Sequence, residues 1–237
     1  MELYFAGGPK KLYAITMAQL GANRLQSQLL DKTGIKRWCN LKDQYPEAGK
    51  LMIDSGAHTA FYTGQALDVD AYIDYLNEID NYVAFSIQAD IVPGSGGNEK
   101  YDFNTVPKLN WDNYLYMRSK LKSPDKLIPV FHIGEDFKWL RNMLDWRGPD
   151  GERVTYIGLA PRQEDSWETK INFMRRCFEV ILSSTQPDVR THALGMTNLP
   201  VLEMFPFTSA DSSTWIMNAA TGGIITPWGA VPISYRT

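Results

Sequence analysis

The chain has 237 residues, 44% hydrophobic and 22% charged, with a formal net charge of −3; this is ordinary globular composition, enough for one large domain or two small ones. Nothing approaches the roughly 18 consecutive apolar residues of a membrane span, and Met1-Glu2-Leu3-Tyr4 lacks the basic-then-apolar order of a secretion signal. Two cysteines far apart, Cys39 and Cys177, argue against a disulfide framework and for a reducing cytoplasm, and the net charge does not advertise a nucleic-acid binder, although it can hide a basic face.

In chain order, short apolar runs alternate with amphipathic stretches. Leu3–Gly8 is the first strand candidate. Met17–Leu30 places Leu20, Leu25, Leu29 and Leu30 at helical spacing. Ile35–Asn40 reads as a weak strand and Leu51–Ser55 as a strong one. Val69–Ile79 is helical, with Tyr72, Ile73, Leu76 and Ile79 on one face. Tyr82–Val92 is the longest strand-like run. Pro93–Asn110, with Gly94, Gly96 and Gly97, reads as a long loop, and it lacks the Gly-Lys-Ser/Thr ending of a phosphate loop. Loops of that length tend to be lids or disordered.

Trp111–Leu121 is helical, Leu127–Gly134 a strand, Phe137–Trp146 a helix, and Arg147–Arg153 a turn. Val154–Ala160 is a strand, followed by a helix over Trp167–Leu182 that turns Ile171, Met174 and Phe178 to one side. Val189–Met196 is a strand, Leu199–Phe205 a short helix, and Phe207–Asp211 a short buried strand ending on an acid. The tail contains one more apolar run, Ile224-Ile225-Thr226-Pro227.

Alternation of this kind argues for a parallel sheet. Eight strands to Asp211 favour a compact (β/α)8 barrel of the TIM type, one domain spanning residues 1–237. The competitor is an open doubly wound sheet, but Phe5-Ala6-Gly7-Gly8-Pro9 does not have its glycine spacing. No internal repeat or linker is evident.

In a barrel the strand ends share one mouth, and three of them carry acids: Asp54, Asp90 and Asp211. Taken singly, each is an ordinary cap or salt-bridge partner; Asp211 could cap a short helix at Trp215–Ala219. Three at corresponding positions point to a site, because clustered buried carboxylates need hydrogen-bonding partners, a metal or a cationic ligand. Other strand ends are glycine-rich, at Gly134, Gly158 and Gly195, where a flat ligand can lie close to the backbone. Of the histidines, His132 lies near a strand end. With Asp54, His192 and Asp211 it suggests a metal-dependent barrel hydrolase, although Leu3–Gly8 holds no histidine and no HExxH occurs. There is no GxSxG elbow. Cys177, beside Phe178 on a helix, reads as core.

The ordered set Asp54-Ser55-Gly56-Ala57, Gly158-Leu159-Ala160, Leu194-Gly195-Met196 with Pro200, and Ala210-Asp211-Ser212 resembles the motifs of the tRNA-guanine transglycosylase superfamily, from about residue 50 to 215. The ending Asp211-Ser212-Ser213-Thr214-Trp215, followed by Gly222 and Gly223, is most similar to the branch that inserts 7-deazaguanines into DNA, found in phages and bacterial modification islands. The resemblance implies base exchange through a covalent intermediate in the cytoplasm, that of the host if phage-encoded. Asp211 would be the nucleophile and Asp54 the general acid/base. Asp90 would bind the donor edge of a guanine-type base, and backbone near Gly158, Leu159 and Ala160 its carbonyl, with Ser55, Leu194 and Gly195 completing the base site.

His132 stands where the family usually has glutamine, so it would donate to the base carbonyl or to a 7-substituent, and base choice stays open. The family's tRNA enzymes carry a Cys3His zinc site after the nucleophile; the stretch after Asp211 has neither Cys nor His. The expectation is therefore no metal or other cofactor. The polynucleotide partner would be DNA rather than tRNA, with a free base such as 7-cyano- or 7-formamidino-7-deazaguanine. Lys10, Lys11, Arg162, Arg175 and Arg176 are candidates for tracking phosphates. A non-catalytic binding subunit of a modification complex is a third reading.

Overall fold

In a computed structural model the chain is described over residues 1–8, 11–63, 67–92, 102–162, 164–226 and 229–233. The strands are β1 (Glu2–Ala6), β2 (Asn23–Ser27), β3 (Leu51–Asp54), β4 (Val83–Ile87), β5 (Leu127–Ile128), β6 (Val130–His132), β7 (Tyr156–Ala160), β8 (Arg190–Ala193) and β9 (Ser209–Ser212). All pair in parallel, in the order β5-β4-β3-β2-β1-β9-β8-β7-β6. The two ends of that order, β5 and β6, adjoin at Pro129, which has no N–H to give the ladder. The Pro129 carbonyl still accepts from Gly158 N at 2.8 Å. One run of chain thus pairs with β4 through its first half and with β7 through its second, and the sheet curls round on itself as a TIM-type barrel.

Around it lie helices α1 (Lys11–Gln19), α2 (Lys32–Gln44), α3 (Ala57–Thr63), α4 (Val69–Glu78), α5 (Val106–Lys120), α6 (Lys138–Asp145), α7 (Trp167–Leu182), α8 (Leu199–Met204) and α9 (Thr214–Ala220). An antiparallel hairpin of β10 (Gly223–Thr226) and β11 (Gly229–Pro232) follows α9. It contains the described part of the predicted tail run; Pro227 lies outside the described residues.

Alternation along the strands builds two cores. Inward residues, among them Tyr4, Leu25, Met52, Ile128 and Tyr156, fill the barrel. Outward residues such as Leu51, Ile53, Phe131, Ile157 and Leu159 pack under the helices, against side chains such as Trp38, Tyr114 and Cys177. Among the described residues no helix is long and apolar enough to cross a membrane.

Two expected elements exchange places. The stretch Met17–Leu30 is the end of α1 followed by strand β2, and Ile35–Asn40 is the middle of helix α2. Leu20 and Leu30, which suggested helical spacing, are 77% and 67% exposed. Strand β2 hides Arg24 and Gln26 instead. The Arg24 guanidinium donates to the Gly7 carbonyl and lies 5.8 Å and 5.7 Å from the Trp38 and Trp215 rings, so aromatic faces compensate part of its buried charge. Helix α2 starts where Asp31 Oδ1 accepts from Gly34 N at 2.8 Å, and it buries Ile35, Trp38 and Cys39 at helical spacing. The stretch expected as a loop over Pro93–Asn110 becomes helical from Val106; residues 93–101 lie outside the described residues.

Candidate active site

The carboxyl ends of the strands open into one cavity of about 1210 Å³, and Asp54, Asp90 and Asp211 all line it. None of the three serves as a helix cap. Ser213 precedes α9, while the Asp211 carboxylate turns inward. Its Oδ1 accepts from Gly195 N at 2.9 Å and lies 3.1 Å from His192 Nε2. Among the described residues Oδ2 takes no hydrogen bond. Gly195 has φ +62°, a left-handed turn after β8 that points its amide at Asp211.

A buried chain backs Asp211. His192 Nδ1 is 2.5 Å from Ser209 Oγ, which is 2.5 Å from the Tyr156 hydroxyl. One assignment satisfies every group: Tyr156 donates to Ser209, Ser209 donates to Nδ1, and Nε2–H donates to Asp211. His192 and Ser209 are fully buried, so this Ser-His-Asp series orients a carboxylate and does not form a hydrolase triad. Sequence reasoning missed Ser209 and Tyr156. Their only signal is polarity at inward-facing strand positions.

Asp54 ends β3, and its Oδ2 accepts from Gly56 N at 3.0 Å. Burial, then the charges of Asp90 and Asp211, push its carboxyl up to about 7, against the pull of the Gly56 amide. The side chain is only partly buried by surface exposure, and it shares its cavity with Asp90 and Asp211. Gly56 makes the turn at φ +88°, where an added Cβ would come within 2.5 Å of Leu29 Cβ.

Asp90 lies three residues past β4. Asn110 of α5 pins the chain beside it, accepting from Ile91 N at 2.7 Å and donating to Ile91 O at 2.9 Å. Tyr72 of α4 braces the neighbouring strand ends, its hydroxyl donating to Ile87 O at 2.9 Å with Ile53 O at 3.3 Å.

His132, at the end of β6, is bonded on both sides. Nε2 is 2.8 Å from Asp90 Oδ2 and Nδ1 is 2.9 Å from Glu135 Oε1, all three residues being buried. Burial alone would lower the proton affinity of the imidazole; the bonds to Asp90 and Glu135 outweigh it and push the pKa up to about 10. With both nitrogens engaged by carboxylates, His132 does not reach a base carbonyl directly in this arrangement and acts on the cavity through Asp90. Glu135 had no sequence signal beyond being an acid just past a strand end.

Of the other expected base-site residues, Ala160, Leu194 and Gly195 line the cavity. Gly158 faces inward one layer deeper, where a Cβ would meet Leu194 at 3.1 Å. Leu159 packs outward in the helix-side core. Ser55 is buried, and its Oγ accepts from Ala57 N at 3.3 Å, so it shapes the turn after Asp54.

The metal-hydrolase reading loses its ligands in this geometry, because all four ring nitrogens of His132 and His192 are spent on protein partners. Among the described residues no group of three or more His, Cys, Asp or Glu is arranged to hold an ion. Of the phosphate-tracking candidates, Arg162 pairs with Asp165 at 3.0 Å, Arg175 donates to Asn172 at 3.0 Å, and Arg176 lies over the Phe137 ring at 4.3 Å. Lys11 is exposed at the start of α1, and Lys10 lies outside the described residues.

Compared with models of known families and with characterised proteins, the chain finds no match.

Proposed function

We propose that the protein is a base-exchange transglycosylase that replaces guanine in a polynucleotide, preferentially DNA, with a 7-deazaguanine base. The observation that carries this reading is the meeting in one cavity of three carboxylates, from β3, from the segment just after β4 and from β9, with unlike environments. Asp211 is held by a backbone amide and an imidazole on one oxygen, and its other oxygen is unbonded among the described residues, which suits a nucleophile. Asp54 is poised near neutrality, which suits a group that must both give and take a proton. Asp90 is held against a cation, which suits a permanent acceptor for ring N–H and amino donors.

In this mechanism the target nucleotide leaves the helix to enter the barrel mouth. Asp211 Oδ2 attacks the anomeric carbon, the bond to guanine breaks, and protonated Asp54 supplies the proton the departing base takes up. The incoming base then yields its N9 proton to Asp54, and its nitrogen displaces Asp211 from the sugar. Atoms and charge return to their starting state, and the glycosidic bond is exchanged rather than hydrolysed.

The test is incorporation of radiolabelled guanine, with mass spectrometry of nucleosides, after incubation of DNA or tRNA with the protein and candidate bases. Asp211→Asn is expected to retain guanine binding and to lose both exchange and the covalent protein–DNA adduct. Exchange surviving that substitution would remove Asp211 from its role, and a binding subunit without catalysis would show no exchange in the unsubstituted protein.

A further inference from the structure

We propose that Glu135 governs how the cavity reads its base: it holds His132 as a doubly protonated ring with Nε2–H turned onto Asp90, so that Asp90 stays an ionised acceptor and presents Oδ1 to the ligand. The assignment rests on the exchange function above and deepens it by naming the residue that sets base recognition from behind.

The argument is one of proton counting. Two carboxylate oxygens sit 2.9 Å and 2.8 Å from the two nitrogens of a single ring. A neutral imidazole has one N–H. With both acids ionised, one of these contacts would then set lone pair against lone pair in a buried place. A cationic ring turns both contacts into charge-assisted hydrogen bonds. Among the described residues Glu135 Oε2 is buried without a hydrogen-bond partner and His132 is the side-chain donor that Glu135 has, so the pair holds together or both charges are stranded.

The other charged groups around the cavity agree with a cation here. Asp31, Asp54, Glu164, Glu203 and Asp211 line it together with the cations Arg162 and Lys170; Arg162 is paired with Asp165, and His192 on β8 is already committed to Ser209 and Asp211, so acids outnumber cations around the cavity. The raised proton affinity of His132 is consistent with this count. Among the described residues Asp90 Oδ1 takes no hydrogen bond, and that leaves it for a ligand donor. Without the cation, Asp90 would share the cavity with two further carboxylates and no opposite charge beside it.

The experiment uses the full chain with isotopically labelled histidine, His132→Gln serving to assign the ring signals. In the unsubstituted protein both His132 nitrogens are expected to stay protonated through pH 8. In Glu135→Gln the titration midpoint should fall by about one to three pH units, the usual effect of losing one close opposite charge. Glu135→Asp, which keeps the charge, should titrate closer to the unsubstituted protein. Calorimetry with guanine and 7-cyano-7-deazaguanine should show affinity about tenfold weaker in Glu135→Gln at pH 8, the scale of one charge-assisted hydrogen bond. That loss should shrink at pH 6, where His132 is recharged.

A neutral His132 at pH 7 in the unsubstituted protein, or a Glu135→Gln variant that titrates unchanged, overturns the proposal. If Glu135→Gln does not fold, Asp90→Asn removes the opposite negative charge, and an unchanged midpoint there overturns it equally. A protein that binds neither base at any pH overturns the exchange function and the base-reading role together, while a shifted midpoint would still establish the ion triad.

Discussion

Replacing Asp54 by Asn should make the protein more stable and inactive, and the gain should depend on pH. In the fold the Asp54 carboxyl is raised from 3.8 to about 7. At about 1.4 kcal/mol per pH unit, this sets an upper limit of about 4 kcal/mol on what ionising it costs the folded state. The sign follows from linkage. A group whose proton affinity is higher in the fold contributes stability below its unfolded value, and that contribution is lost as pH rises through the folded value. The unsubstituted protein therefore loses stability from this group between about pH 4 and 7, and Asn, which does not titrate, loses none.

Asn can still accept from the Gly56 amide through its carbonyl oxygen, so the offset at low pH is expected to be small. Water in the open mouth screens the carboxylate, and about 2 kcal/mol is the expected gain at pH 8. The measurement is urea denaturation of both proteins at closely spaced pH values from 4.5 to 8.5, plotted as the difference in unfolding free energy. Titrations unrelated to Asp54 cancel in that difference. A difference flat within about 0.5 kcal/mol would show that Asp54 is not held among other carboxylates, and the convergence of the three acids would fall with it.

Gly56→Ala should destabilise the protein by about 2 kcal/mol or more in thermal or urea unfolding, because φ +88° combines with a contact of 2.5 Å to Leu29. Gly195→Ala meets nothing within 4 Å and should cost only about 1 kcal/mol, for its left-handed backbone alone; equal costs would contradict the packing around the Asp54 turn. Asp90→Ala should weaken guanine binding in calorimetry more than Asp54→Ala does, and equal affinities would count against dividing recognition from proton transfer.

Much of the architecture was legible because burial writes itself into strand sequence. Runs such as Leu51–Ser55 and Leu127–Gly134 are apolar on both faces, as strands covered on both sides must be. Legibility failed at β2 and α2. Asn23–Ser27 buries an arginine and a glutamine, which no hydrophobic pattern announces, while Ile35, Trp38 and Cys39 share a stretch with Lys36 and Arg37 that reads poorly as either element. The three acids were legible because each ends a strand run. Glu135, Ser209 and Tyr156 were not, since a polar residue facing into a barrel looks in sequence like one facing water.

The amino-acid order on its own determined that strand-like runs alternate with helical ones and which carboxylates stand at strand ends, because these are properties of neighbours along the chain; its eight strands included Ile35–Asn40, which is helix, and missed Asn23–Ser27. Only the tertiary structure decided that Asp54 shares one cavity with Asp90 and Asp211 and is raised by their charges, that His132 is held between two acids, and that among the described residues Asp211 keeps one oxygen unbonded. Proton affinity and hydrogen-bond partnership depend on distances of a few ångströms between residues 3 to 157 positions apart, and those distances exist only once the barrel has closed.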